Sequence, residues 1–128
     1  MSLSINADSL TSSASIEMIS SKKSMMDLAN QLVAIKSEFS VELSENKSTF
    51  YPFSIKKAIF KIDENNSILT ITSYKAVFSA KPEDFYRFGE SLLNFFSQDG
   101  SHERHLHIDK YDGFFDKMDH DLVIRLIG

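Results

Sequence analysis

PEDFYRFGESLLNFFSQ, residues 82–98, decides the fold class. Pro82 suits a first helical turn, where its missing amide hydrogen costs nothing, and Glu83 and Asp84 complement the positive end of the helix dipole. Phe85, Phe88, Leu92, Phe95 and Phe96 then share one face, and Gly100 offers a stop. The spacing predicts an amphipathic helix whose aromatic stripe must be covered by other elements.

The same pattern recurs upstream. A helix is predicted over Ser24–Lys36: the Ser24 hydroxyl can accept from first-turn amides, Asp27 complements the dipole, and Met25, Leu28, Ala29, Leu32 and Ile35 form one stripe. Outside these helices the chain alternates apolar and polar residues with period two, as half-buried strands do. Such stretches are Ser15–Ser20, Phe39–Leu43, Ile55–Ile62, Ile68–Phe78, Arg104–Lys110 and Leu122–Ile127. Ala58, Phe60, Ile62, Leu106 and Ile108 are expected inward, Lys57 and Lys61 outward, and Asp63–Asn66 is expected as a hairpin turn. The run Lys56, Lys57, Lys61 reads as a solvated strand face.

These elements predict an α+β domain over residues 14–128 in the order β-α-β-β-β-α-β-β. Its expected form is a mostly antiparallel sheet of about six strands with both helices on one face. Residues 1–13, rich in Ser, Thr and Asn, are expected to be a poorly ordered tail. An internal repeat is also suggested. Setting Met25 on Phe85 superposes Leu28 on Phe88, Ala29 on Gly89, Leu32 on Leu92 and Ile35 on Phe95, with Ile16–Ile19 in phase with Ala76–Ser79. Any two amphipathic helices can be slid into phase, so this pattern alone does not establish a duplication.

Composition narrows the function classes. The chain of 128 residues has 42% hydrophobic and 25% charged residues, ordinary values for a folded domain, and 11 Phe with no Trp promise a phenylalanine core. With no cysteine there is no disulfide framework, thiolate metal site or cysteine nucleophile, and a cytoplasmic location is expected. No signal-peptide pattern opens the sequence and no apolar run reaches membrane-spanning length, so no membrane association is expected. The net charge is −4. Between residues 99 and 121, seven acidic residues face three basic ones, so this segment carries the whole imbalance. Such a surface repels phosphate backbones, which argues against nucleic acid and favours a cationic partner.

The four histidines, His102, His105, His107 and His120, lie in the same region. On a strand His105, His107 and Asp109 share one face, so two imidazoles and a carboxylate could converge on a divalent metal. The plainer reading is an exposed polar strand face, because alternation with Leu106 and Ile108 requires polar residues at these positions, and no second ligand motif supports a site. Asp109–Asp121 fails as an EF-hand loop, with Tyr111 at its third position and His120 at its twelfth. Phosphate-loop, GxSxG and HExxH motifs are absent from the sequence, so no cofactor and no catalytic residues are expected.

The stretch His105-Leu106-His107-Ile108-Asp109-Lys110-Tyr111, followed after an acidic loop by Leu122-Val123-Ile124-Arg125-Leu126, resembles the closing hairpin of the immunity protein 32 family of bacterial polymorphic-toxin systems. The helix at Phe85–Phe96 fits that pattern, and the resemblance covers about the last third of the chain. It implies a small α+β protein that neutralises a cognate toxin without catalysis, and it assigns no active-site residues. On this reading the partner is a protein, a cationic toxin domain, bound by Asp109, Asp112, Asp116, Asp119 and Asp121. The alternatives are a metal-dependent enzyme or sensor built on His105, His107 and Asp109, and an interaction or scaffold protein.

Overall fold

The computed structural model describes residues 3–10, 14–46, 50–96, 105–108 and 122–126, with 105–108 described as backbone. The elements are β1 (Leu3–Ala7), β2 (Ile16–Ser20), α1 (Lys22–Val33), β3 (Phe39–Glu42), β4 (Phe53–Ile55), β5 (Lys57–Ile62), β6 (Ile68–Thr72), β7 (Lys75–Ala80), α2 (Pro82–Phe96), β8 (His105–Ile108) and β9 (Leu122–Leu126). The class is α+β, as the alternating and helical periods predict.

The sheet arrangement differs from the expected one. In place of a single sheet of about six strands, the described residues form two, in the orders β4-β1-β2-β9-β8 and β3-β5-β7-β6. Each contains one parallel pair, β2 with β9 and β5 with β7. Asp63–Asn66 is therefore not a hairpin turn. The Asp63 carboxylate does accept from the backbone N–H groups of Asn65 and Asn66, at 2.9 and 3.2 Å, as a turn residue should. The connection nevertheless carries the chain past β7 to its far side, since β7 lies between β5 and β6.

Three local differences have local causes. Leu3–Ala7, expected in a poorly ordered tail, is a wholly buried strand between β2 and β4, because Leu3, Ile5 and Ala7 alternate beneath the serine-rich composition. The long strand over Ile68–Phe78 is a hairpin. Its turn residues, Ser73 and Tyr74, have φ of 48° and 63°, the left-handed conformation that a two-residue hairpin turn requires and that Asn-Gly would have signalled. Helix α1 starts earlier than Ser24: Ser21 is its N-cap and accepts from the Ser24 N–H at 3.2 Å.

The repeat suggested by the helices runs through the whole ladder. β1-β2-α1-β3-β5 and β6-β7-α2-β8-β9 follow the same path: an antiparallel hairpin, a helix, then two strands that join the opposite sheet. Registers correspond too. Met18 lies opposite Ile5 and Ile124 as Phe78 lies opposite Leu69 and Phe60, and Ile124 pairs with Leu106 as Phe60 pairs with Phe39. Among the described residues strand β4 has no counterpart in this scheme.

Both helices and the inward faces of both sheets share one core. Phe39, Phe60 and Phe78 stack across the second sheet with centroids 4.9 and 4.7 Å apart, and Phe85 of α2 meets Phe60 edge-on at 6.3 Å. Phe88, Leu92, Leu28 and Leu32 are fully buried, as their helical stripes predict.

Candidate functional site

The outward face of a two-layer sheet normally meets water, yet here the first sheet carries a buried polar row. Cross-strand register aligns Ser54, Asn6, Glu17, Val123 and His107 across β4, β1, β2, β9 and β8. The next row runs through Ser4, Ile19, Arg125 and His105. Asn6 is 0% exposed, and Ser4 and Glu17 are buried with it.

Period-two alternation turns Asn6 and Glu17 away from the apolar core, so their burial is imposed from outside the sheet. Asn6 donates through Nδ2 to the Asn46 carbonyl at 2.6 Å. Glu17 Oε2 lies 3.4 Å from Arg125 Nη2. Asn6 Oδ1, Glu17 Oε1 and Arg125 Nε have no hydrogen-bond partner among the described residues. Each such group costs roughly 1–3 kcal/mol when buried unsatisfied. At the matching positions of the second sheet Val77 stands for Glu17, in the row Thr70, Val77, Ile59 and Ser40, and Lys61 stands for Arg125, so no ion pair can form there. The charged pair is thus particular to this sheet and not a requirement of the fold. A carboxylate, a guanidinium and an amide at this spacing can accept and donate hydrogen bonds to a polar group, and they carry no nucleophile.

A concavity of 420 Å³ lies where the two sheets join and is lined in part by Glu45, Ser54, Lys56 and Tyr74. Lys56 stands between β4 and β5. Its N–H donates to the Tyr74 carbonyl at 2.8 Å and its carbonyl accepts from the Leu43 N–H at 3.0 Å, so the strained turn and the seam brace each other.

The residues expected at the site are distributed differently. Asp109, Asp112, Asp116, Asp119 and Asp121 lie outside the described residues. His105 and His107 fall on β8, at the register positions opposite Arg125 and Val123. Among the described residues no group of three or more His, Asp or Glu is arranged to hold a metal ion, and no helix is long and apolar enough to cross a membrane. Sequence reasoning missed Asn6, Glu17 and Arg125. Their only signal was a polar residue on the wet side of a strand, which thousands of solvated positions share.

No family model, curated protein or solved structure matches this chain.

Proposed function

We propose that the chain is a non-catalytic binding protein of the immunity type, which holds a cationic toxin domain inactive in the cytoplasm through the acidic connection between β8 and β9. The observation that carries this reading is the pairing of Ile108 with Leu122. Between these two paired residues the sequence places Asp109, Asp112, Asp116, Asp119 and Asp121 against Lys110 and Lys117. Charge of one sign concentrated in this way steers association with a surface of the opposite sign. Toxins that act on nucleic acid carry such cationic surfaces, and an array of carboxylates imitates their substrate's charge while repelling nucleic acid itself.

The test uses the product of the gene encoded beside this chain, which this reading expects to be a toxin. Co-expression should protect cells from it, and association measured by surface binding kinetics should slow about tenfold between 0.05 and 0.5 M salt, because exposed charges are screened within about 10 Å at 0.1 M. Replacing Asp112, Asp116 and Asp119 together with Asn should slow association at low salt and flatten that dependence. An on-rate independent of salt and identical in both proteins overturns the electrostatic mechanism, and a neighbouring gene that encodes no toxin overturns the immunity reading.

A further inference from the structure

The hairpin of β3 and β5 forks at its last pair. The Leu43 N–H donates to the Lys56 carbonyl at 3.0 Å, but the next residue, Ser44, donates its N–H to the Leu3 carbonyl of β1 at 2.9 Å. The other prong, Phe53–Ile55, pairs with β1 as β4. The 420 Å³ cleft lies in this fork, within the roughly 300–1,000 Å³ of small-molecule sites. We infer that it binds a small zwitterion with an apolar body, the chemistry of a free apolar or aromatic α-amino acid, with Lys56 taking the carboxylate and Glu45 the ammonium.

Two residues stand at the cleft against local preference. Val41 and Ala58 are partners in register on the core side of the second sheet, and alternation makes Leu43 and Lys56 the next core-side pair. Position 56 thus carries a cation where the pattern asks for an apolar residue, and it is exposed while Ala58 is fully buried. Beside it Tyr74 holds an aromatic side chain at φ 63°, where glycine or asparagine would cost less. Strain of this kind persists where the surroundings fix it and a site uses it. Here the Lys56 N–H fixes the Tyr74 carbonyl at 2.8 Å, so both side chains leave braced backbone beside the same cavity.

The lining decides the chemistry of the ligand. Among the described residues it holds one cation, Lys56, one carboxylate, Glu45, and the hydroxyls of Ser54 and Tyr74, set in apolar surface that includes Leu43 and Phe53. A simple anion meets Glu45 as well as Lys56, and a simple cation meets Lys56 as well as Glu45, so either one has its attraction offset by a repulsion. A molecule that carries both charges on an apolar body satisfies both groups and covers the apolar wall. This inference is independent of the toxin reading, since it uses neither the acidic segment nor its partner.

Three probes separate the charges: L-phenylalanine, 3-phenylpropionate, which lacks the amine, and 2-phenylethylamine, which lacks the carboxylate. Titrated into the full chain and followed by amide NMR shifts, phenylalanine should bind with Kd of about 1 mM and at least about fivefold more tightly than either analogue. The shifts should centre on Glu45, Ser54, Lys56 and Tyr74. Lys56→Gln keeps the backbone bonds of position 56 and should weaken phenylalanine and phenylpropionate, but not phenylethylamine. Glu45→Gln should weaken phenylalanine and phenylethylamine, but not phenylpropionate. Tyr74→Gly should weaken all three while the circular dichroism spectrum stays unchanged. The proposal is overturned if no probe binds with Kd below about 20 mM, if phenylalanine binds no more tightly than its analogues, or if either charge substitution leaves phenylalanine binding unchanged. Shifts centred on another face of the protein overturn it equally.

Discussion

Gly89 of α2 lies so close to Ala29 of α1 that a Cβ at position 89 would fall 2.8 Å from the Ala29 carbonyl oxygen and 2.8 Å from Cγ2 of Val33. Ala29 and Gly89 are the residues that superpose in the alignment of the two helices. Equivalent positions meet where a twofold relation between the halves would put its axis, and the crossing requires the smaller residue on one side. Gly89→Ala should therefore destabilise the protein by about 1–2 kcal/mol, overpacking outweighing the roughly 1 kcal/mol that alanine gains in an unconstrained helix. Urea denaturation measures it. Adding Val33→Ala should recover only part of the loss, because the Ala29 carbonyl is main chain and cannot move aside.

The Glu17–Arg125 pair makes a second prediction. Arg125→Met leaves a nearly buried carboxylate without its counter-charge and should cost about 2 kcal/mol, less than the roughly 3–5 kcal/mol of a fully buried pair because the arginine is partly exposed. Glu17→Met with Arg125→Met should lie within about 1 kcal/mol of wild type, since the double change removes both charges together. Equilibrium unfolding of the full cycle decides it: additive single effects would show that the two groups do not interact.

The turn at Ser73 and Tyr74 holds two residues with side chains at positive φ, a conformation that costs non-glycine residues roughly 1 kcal/mol or more each. Ser73→Asn combined with Tyr74→Gly should raise stability by about 1 kcal/mol and increase Tm by several degrees. An unchanged or lowered Tm in calorimetry would mean that the Tyr74 side chain, which lines the seam cleft, contributes more than the strain removes.

Asp63 provides a pH handle. Hydrogen bonds first from the Asn65 backbone and then from Asn66 hold its carboxyl below the usual aspartate value of 3.8. Because the folded value is the lower one, the contribution is complete above the unfolded pKa and disappears as pH falls through the folded pKa. Carbon-detected NMR titration should place Asp63 below the usual aspartate value. Asp63→Ala should leave stability less dependent on pH below about 4 than in wild type.

How far the sequence alone reaches can be seen residue by residue. The helical stripes at Met25–Leu32 and Phe85–Phe96, the alternation of Ala58, Phe60 and Ile62, and the Asp63 turn depend on neighbours within a few positions, and local periodicity reports them directly. The same periodicity is present at Leu3, Ile5 and Ala7, where composition obscured it. What only the tertiary structure decided is which strands lie side by side: β9 returning parallel to β2, β7 inserting between β5 and β6, and β4 pairing with the outer edge of β1. Alternation gives each strand an inside and an outside but is indifferent to its neighbour, because every apolar strand face is nearly interchangeable in water. The cluster of Asn6, Glu17 and Arg125 was hidden for the same reason. On an isolated strand each is an ordinary wet-side residue, and only the assembled sheet brings these residues of β1, β2 and β9 together on two adjacent rows.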